Sequence, residues 1–168
     1  KGSFKDNLIE IFHNIGYKTK TIILNAANFG VPQNRKRIFF IGNRVGNKMN
    51  FIEKIGSTMI KRPNTVYEAI SDLPHLGNGH NIDIMPYNAY KKKLTRYQIT
   101  MRNGMNGRVY NNLVSKSTDL ALKRYGHIEQ GENLLTLAKK NPSLVANYKN
   151  IWNCHHWIYL RLSWNKPS

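Results

Sequence analysis

Phe29-Gly30-Val31-Pro32-Gln33-Asn34-Arg35-Lys36-Arg37-Ile38-Phe39-Phe40-Ile41 runs from a turn directly into an apolar segment. The apolar run predicts a strand over residues 37–42 that is apolar on both faces and central in a sheet. If residues 33–37 are extended, Gln33, Arg35 and Arg37 share one face, because side chains alternate along a strand. One amide and two guanidiniums on one face suit a nucleobase or a phosphate, whereas the alternative interpretation is a solvated basic rim.

The residues before this stretch predict one helix and one further strand. Apolar side chains fall at helical spacing over residues 4–15, with Ser3 able to cap the start of the helix and Gly16 its end. Residues 17–24 show the alternation of a strand. Helix, strand, turn and strand together form a fragment of an α/β sheet. Because two or three strands cannot bury both of their faces, we expect this fragment to belong to a larger domain.

The remainder of the chain predicts a smaller, irregular α+β region. A polar connector with one short helix is expected over residues 43–64, so that a first domain covers residues 1–45 and a second covers 46–168. Helices are predicted over residues 66–73, 118–125 and 133–140 and in the middle of 87–103. Alternating side chains over residues 157–164 predict a final strand. Trp157 and Trp164 are assigned to the core, because their neighbours are apolar.

The charge balance indicates a polyanionic partner. Lysine and arginine number 26 against 9 acidic residues, which gives a net charge of +17 and a pI near 10.1. Nucleic acid is favoured over an anionic membrane surface. No segment approaches the roughly 20 apolar residues that span a bilayer, and the first ten residues lack the apolar core of a signal peptide. The single cysteine excludes an internal disulfide and suits a reducing compartment.

Basic side chains concentrate between Tyr87 and Arg102, with tyrosines interleaved among them. Contacts with the DNA backbone are predicted for four residues of this tract, Lys91, Lys92, Lys93 and Arg96. Further contacts with bases or phosphates are predicted for Arg102, Asn106, Arg108 and Arg161. Asparagine suits adenine edges and arginine suits guanine edges or phosphates. A solvated basic surface without a partner is the alternative.

Three segments resemble, in the same order, motifs of one enzyme family. Residues 25–37, Asn-Ala-Ala-Asn-Phe-Gly-Val-Pro-Gln-Asn-Arg-Lys-Arg, resemble the Gln-x-Arg-x-Arg motif of DNA cytosine-5 methyltransferases. Residues 66–74, Val-Tyr-Glu-Ala-Ile-Ser-Asp-Leu-Pro, resemble the Ala-Ile-x-Asp-Leu-Pro segment that opens the variable region of that family. Residues 159–168, Tyr-Leu-Arg-Leu-Ser-Trp-Asn-Lys-Pro-Ser, resemble the Tyr-x-Arg-Leu-x-Trp segment that closes it. One such pattern is weak, but three in family order are specific.

The resemblance implies an enzyme that flips a cytosine out of double-stranded DNA and methylates its C5 atom with S-adenosylmethionine. It implies that Arg37 reaches the cytosine carbonyl, that Arg35 holds the catalytic loop or nearby phosphates, and that Gln33 braces the turn. The methyl-donor turn of the family (Phe-x-Gly-x-Gly), its nucleophile (in Pro-Cys-Gln) and its acid (in Glu-Asn-Val) do not occur in this sequence. We therefore expect the edge of a Rossmann-like catalytic sheet followed by a target-recognition domain. By itself this piece should neither bind S-adenosylmethionine nor transfer a methyl group.

The complete enzyme implied by the resemblance is of restriction-modification type and acts in a prokaryotic cytoplasm, at the nucleoid. Its missing catalytic parts would come from the same polypeptide or from a partner subunit. A second hypothesis is a non-catalytic DNA-binding subunit of a split or decayed methyltransferase. A third is an unrelated RNA-binding protein, which would prefer single strands on which aromatic side chains stack.

The residues around the single cysteine do not predict a metal site. Cys154, His155 and His156 are adjacent, whereas zinc ligands are normally separated by two to four residues and recruit a second pair. The other histidines are scattered singly along the chain. Cys154 is therefore interpreted as an ordinary packed thiol, and no metal is expected.

The motif assignment predicts different effects of two sets of substitutions in the complete enzyme. Arg37→Ala should lower turnover by about 100-fold or more, because a donor to the reacting base is lost, while the affinity for duplex DNA falls little. Changing Lys91, Lys92 and Lys93 together to alanine should weaken binding and flatten its dependence on salt. Single-turnover methylation and duplex titrations at several salt concentrations measure both effects. Equal losses of binding from the two sets would contradict the role given to Arg37.

Overall fold

The computed structural model describes residues 2–46, 51–87 and 93–168. The chain divides into two compact units, Lys1–Asn64 with Pro167 and Thr65–Lys166 with Ser168. The structural division thus falls after Asn64, and the connector predicted over residues 43–64 groups with the first unit. The assignment of residues 1–45 and 46–168 to catalytic and recognition domains stays a prediction.

The first unit is built from a helix and a strand hairpin, followed by a short helix. Its elements are α1 (Gly2–Asn14), β1 (Lys18–Asn25), a 3-10 turn (Ala26–Phe29), β2 (Lys36–Asn43) and α2 (Phe51–Ser57). The two strands pair antiparallel from Lys18 opposite Asn43 to Asn25 opposite Lys36. The predicted helix and both predicted strands are thus confirmed, as is the short helix expected in the connector.

Gly16 ends α1 in a left-handed conformation with φ +90°. Its amide donates to the carbonyl of His13, and the amide of Tyr17 donates to that of Phe12. Such a turn satisfies the last carbonyls of a helix and favours glycine, because a side chain is strained at positive φ. The predicted end of the helix is therefore confirmed. Ser3, the predicted cap, lies inside the helix, which begins at Gly2.

The hairpin leaves large apolar side chains exposed. Ile23 of β1 is 69% exposed, and Ile38 and Phe39 of β2 are each 46% exposed. Among the described residues β2 pairs only with β1, so its predicted central position stays a prediction. The sheet in view is antiparallel, and a pair of strands cannot bury both faces by itself.

The second unit combines short helices with one small strand pair. Its regular elements are α3 (Val66–Ile70), β3 (Met85–Pro86), α4 (Arg96–Arg102), β4 (Arg108–Val109), α5 (Asp119–His127) and α6 (Leu134–Lys140). Three 3-10 turns follow, over Pro142–Val145, Ile151–Asn153 and His156–Tyr159. The helices predicted over residues 66–73, 118–125 and 133–140 are confirmed, although α3 is shorter than expected. The helix predicted in the middle of residues 87–103 is found toward the end of that tract, as α4, and residues 88–92 lie outside the described part of the chain. This mixture of short helices and antiparallel strands agrees with the predicted α+β class.

The hydrophobic core of the second unit lies around α6. It consists of Ile128, Leu134, Leu137 and Val145, and partly buried residues that include Cys154 and Tyr159 pack against it. The side chains of Thr118 and Asn133 cap α5 and α6 by accepting hydrogen bonds from first-turn amides. Cys154 is half-buried against this core, in agreement with its interpretation as a packed thiol.

The strand predicted over residues 157–164 is wrong. The chain forms a 3-10 turn over His156–Tyr159 and then pairs with a loop, since the amide of Arg161 donates to the carbonyl of Glu132 and the amide of Gly131 to that of Arg161. Alternating residues favour a strand only where a partner strand is available. The core position predicted for Trp157 is also wrong, because its side chain is 64% exposed. Trp164 is half-buried.

Within the described ranges, we found no helix of the length and apolarity needed to cross a membrane.

Truncating the centre of the core should destabilise the second unit. Leu137 is fully buried, so Leu137→Ala should lower the free energy of unfolding by about 3 kcal/mol. Urea unfolding measures this change. The matched control is Leu113→Ala, because Leu113 is 53% exposed and should change stability by less than about 0.5 kcal/mol. Similar losses for both variants would contradict the location of the core.

Candidate functional site

The loop that carries the motif arginines is closed by Asn25 at the end of β1. Its side-chain oxygen accepts hydrogen bonds from the amides of Ala27 at 3.3 Å and Arg35 at 3.0 Å. Its side-chain amide donates to Asn34 at 3.3 Å. The amide of Ala26 also donates to the carbonyl of Arg35 at 3.1 Å. One asparagine thus fixes where the loop leaves β1 and where it re-enters β2.

The far side of this loop is held by Asn64 and by Gly30. Gly30 has φ +89° and ends the 3-10 turn that follows β1. The side-chain amide of Asn64 donates to the carbonyl of Gly30 at 2.7 Å, and the amide of Ile60 donates to the carbonyl of Asn28 at 2.8 Å. The residues after α2 therefore brace the turn that precedes the motif.

Gln33, Arg35 and Arg37 are all exposed, but the strand begins only at Lys36. The amide of Gln33 donates to the carbonyl of Val31 at 2.8 Å, so Gln33 leaves a tight turn and not an extended segment. Strand alternation therefore does not by itself place the three side chains on one face, and their common face stays a prediction. One terminal nitrogen of Arg37 donates to the carbonyl of Lys36 at 2.8 Å.

In the second unit, the segments that open and close the predicted variable region meet. The first two amides of α3, those of Val66 and Tyr67, donate to the carbonyls of Lys166 at 2.9 Å and Trp164 at 3.0 Å. The rings of Tyr67 and Trp164 pack edge to face with 5.8 Å between their centres. First-turn amides of a helix lack partners within the helix. The closing segment supplies two of those partners to the opening one.

A buried ionic cluster lies at the end of α3. The side chain of Asp72 is 1% exposed. Arg102 donates to both of its carboxylate oxygens at 2.9 Å and also to the carbonyl of Ala69 at 2.9 Å. The hydroxyl of Tyr87 donates to the carboxylate at 2.5 Å. Such a two-pronged arginine pair is the arrangement that a buried carboxylate needs.

The environment of this cluster shifts the ionisation of its members. Burial acts to raise the pKa of Asp72, but the hydrogen bonds from Arg102 and Tyr87 outweigh it and hold the pKa below its ordinary value of 3.8. Burial and the adjacent carboxylate raise the pKa of Tyr87 to about 12. Asp72 is therefore ionised and Tyr87 neutral at physiological pH.

The cluster places α4 against α3. Thr95 and Gln98 form a capping box at the start of α4, and the hydroxyl of Thr95 donates to the carbonyl of Glu68 at 2.9 Å. Gln98 is 2% exposed and donates to the hydroxyl of Ser71 at 2.9 Å. The polar side chains of α4 that face α3 are thus hydrogen-bonded, and the opposite face of α4 is exposed to solvent.

The predicted DNA contacts divide into three groups. Lys91 and Lys92 lie outside the described residues. The exposed residues are Lys93, Arg96, Asn106, Arg108 and Arg161. Arg102 differs from them, because its guanidinium is largely buried and donates to Asp72 and Ala69. We therefore withdraw Arg102 from the predicted DNA contacts and assign it to the ionic cluster.

Two of the exposed residues share a shallow cavity. Asn106, at φ +48°, and Arg108 flank the turn that leads into β4. With β3 and Gly107 they line a cavity of about 270 Å³. An amide and a guanidinium at the rim of one cavity can both reach the edge of a base.

A larger cavity of about 390 Å³ lies beside α3. It is lined by the Tyr67 and Trp164 rings, by apolar residues up to Leu76, and by His75 and Asn112. The side-chain nitrogen of Asn112 is buried and has no hydrogen-bond partner among the described residues. Two motif segments therefore form the wall of this cavity.

Arg124 is a buried arginine that sequence reasoning did not identify. It lies in α5 at 4% exposure. It donates to the carbonyl of Leu144 at 2.8 Å, to the hydroxyl of Tyr159 at 3.2 Å and to the side chain of Asn147. Its guanidinium also lies 5.0 Å from the ring centre of Tyr148. The sequence does not predict this burial, because an arginine in a helix is normally assigned to the solvent-exposed face.

No group of three or more histidine, cysteine, aspartate or glutamate side chains suited to a metal ion occurs in the described part of the chain.

Comparison with known proteins gives a consistent family. A family model described as C-5 cytosine-specific DNA methylase matches residues 1–158. The chain is 32% identical over 139 residues to type II methyltransferase M.DdeI of Desulfomicrobium norvegicum, which covers 82% of the chain and 33% of that relative. It is 41% identical over 88 residues to type II methyltransferase M1.HphI of Haemophilus parahaemolyticus, covering 52% of the chain and 23% of the relative. It is 24% identical over 164 residues to type II methyltransferase M.NgoFVII of Neisseria gonorrhoeae, covering 96% of the chain and 34% of the relative. The chain thus spans about a third or less of the length of these relatives.

The ionic cluster predicts a pH-dependent stability. A carboxyl whose pKa is lowered in the folded state stabilises it above the unfolded pKa, and this contribution is lost as pH falls through the folded pKa. Asp72→Asn should therefore cost about 3 kcal/mol at pH 7, and the difference from the wild type should shrink below about pH 4. Urea unfolding at pH 7, 5, 4 and 3 measures this.

The matched control for this series is Asp119→Asn, because Asp119 is exposed in the first turn of α5. It should differ little from the wild type at every pH. A difference between wild type and Asp72→Asn that stays constant from pH 7 to 3 would contradict the lowered pKa of Asp72.

Proposed function

The chain belongs to the C-5 cytosine-specific DNA methylase family, and we propose that it forms part of an enzyme that methylates C5 of a cytosine in duplex DNA. The methyl donor is S-adenosylmethionine, and the enzyme is of restriction-modification type, like the type II methyltransferases that the chain resembles. In this proposal the chain supplies target recognition and the active-site arginines.

The observation that carries this proposal is the meeting of two motif segments in the second unit. The segment that opens the variable region and the segment that closes it share two backbone hydrogen bonds and the ring contact of Tyr67 with Trp164. The residues between them, which include α4, α5 and α6, form a region whose first and last segments are joined. A region whose two ends are joined in this way can present a recognition surface on a rigid base.

The recognition surface that we propose is basic and exposed. Lys93 and Arg96 contact phosphates, which contributes affinity without sequence preference. Asn106 and Arg108, at the rim of their shared cavity, contact base edges. Arg161 is exposed and contacts a phosphate. The net charge of +17 supports a polyanionic partner.

The motif residues act on the flipped base. A cytosine must leave the stack before its C5 atom is reachable. Arg37 donates to the cytosine carbonyl, where a guanidinium that never loses its proton stabilises developing negative charge. Arg35 positions the catalytic loop or a phosphate, and Gln33 braces the turn. Asn25 supports these roles, because it fixes both ends of the loop that carries them.

S-adenosylmethionine binds to residues outside this chain in our proposal. Neither strand of the first unit leads into a Phe-x-Gly-x-Gly turn, and the sequence has no Pro-Cys-Gln nucleophile segment. When bound, the cofactor supplies the methyl group. The residues described here hold the DNA and the flipped base.

The complete enzyme should form 5-methyl-2′-deoxycytidine in duplex DNA, which nucleoside mass spectrometry detects. Arg35→Ala should lower the rate by about tenfold or more, because misplaced partners lose the advantage of fixed orientation. Lys36→Ala is the matched control, since Lys36 is an exposed cation that directly follows Arg35. Its rate should stay within about twofold of the wild type.

Two results would count against the proposal. Methylation at another atom or on another base would contradict the reaction. Duplex binding without any methylation would instead support the non-catalytic DNA-binding subunit.

A further inference from the structure

Asp72 connects the two ends of the basic tract to which the proposed function assigns phosphate contacts. We propose that Asp72 is a positioning residue for DNA binding, which holds Lys93 and Arg96 where they reach the phosphate backbone. This inference rests on the proposed function and deepens it, because it names a residue that acts on DNA without touching it.

The first step is the position of the partners of Asp72. Tyr87 precedes the tract and Arg102 ends it, and both donate to the same carboxylate, at 2.5 Å and 2.9 Å respectively. The amide of Tyr87 also donates to the carbonyl of Gly107 at 2.8 Å. One side chain therefore fastens the beginning and the end of the tract to the end of α3.

The second step is the orientation of α4. Its inner face is fixed on α3 through Thr95 and Gln98, the latter at 2% exposure. Arg96, in the first turn of α4, and Lys93, three residues before it, are exposed. The same contacts that anchor the helix therefore determine which side chains remain available to a polyanion.

The third step is that Asp72 cannot act on DNA directly. Its side chain is 1% exposed, so it acts only through the groups that it binds. Simple electrostatics predicts that removing a negative charge strengthens binding to DNA. A positioning role predicts the opposite, because Lys93 and Arg96 lose their fixed arrangement. The sign of the effect therefore separates the two explanations.

The test compares Asp72→Asn with Asp119→Asn in the complete enzyme, by titrating duplex DNA at several salt concentrations. Both variants remove one negative charge, but Asp119 lies exposed in α5. For Asp72→Asn we expect about tenfold weaker binding at low salt. The slope of log K against log salt should fall by about two, one for each lost phosphate contact. Asp119→Asn should keep the wild-type slope and bind at least as tightly.

A double-mutant cycle shows whether Asp72 acts through the two cations. Lys93→Ala with Arg96→Ala should by itself lower the slope by about two. Adding Asp72→Asn to that variant should then change the slope no further. A general loss of stability does not give this result, because the slope reports only on contacts made by folded molecules.

If Asp72→Asn does not fold, the less disruptive variant Tyr87→Phe tests the inference. Tyr87→Phe removes one hydrogen bond to the carboxylate and leaves the pair with Arg102 in place. It should lower the slope by about one, whereas Tyr110→Phe, at a tyrosine that is 48% exposed, should not. An unchanged slope and affinity for a folded Asp72→Asn, or for Tyr87→Phe, would overturn the inference.

The wild-type titration tests the proposed function separately. A wild type that shows no salt-dependent binding to duplex DNA overturns the proposed function, and the inference falls with it. Salt-dependent binding by the wild type together with unchanged variants overturns the positioning role alone.

Discussion

The packing of α4 against α3 satisfies one constraint, which is that the buried carboxylate of Asp72 must be paired. A buried charge without partners is strongly destabilising, and a two-pronged arginine together with a tyrosine hydroxyl removes that cost. Arg102 and Tyr87 supply these groups from positions 30 and 15 residues further along the chain. The pairing therefore does more than satisfy a charge. It brings the end of α3, the start of the basic tract and the end of α4 to one point.

In the first unit, a neutral side chain also joins segments that are separated in the sequence. Asn25 accepts and donates hydrogen bonds across the mouth of the loop that carries the Gln-x-Arg-x-Arg motif. An asparagine can do this because its amide offers both donors and acceptors. The arginines of the motif are thereby left exposed on a loop with fixed ends. In both units, polar contacts anchor segments that carry cationic side chains proposed to bind DNA, through Asn25 in the first unit and Asp72 in the second.

In the second unit, two of the segments that carry the family resemblance contact each other directly. The motifs that open and close the predicted variable region meet although the contacting residues lie 100 positions apart in the hydrogen bond from Val66 to Lys166 and 97 apart in the ring pair of Tyr67 with Trp164. The backbone carbonyls of the closing segment accept hydrogen bonds from first-turn amides of α3 that have no partner within the helix. The region between them therefore starts and ends at one joined base, as its proposed recognition role requires.

Elements with local signals in the amino-acid sequence could be predicted before the structure was known. Apolar spacing placed α1, α5 and α6, alternation placed β1, and the apolar run placed β2, with both strands within one residue of their observed bounds. The motif order also determined the family. Long-range contacts in the folded chain bury Arg124 and most of the Arg102 side chain, leave Trp157 exposed, and give residues 157–164 a conformation other than a strand. The reason is that the environment of these side chains is set by partners far away in the sequence, such as Asp72 for Arg102 and Leu144 for Arg124, and no local pattern records such a partner.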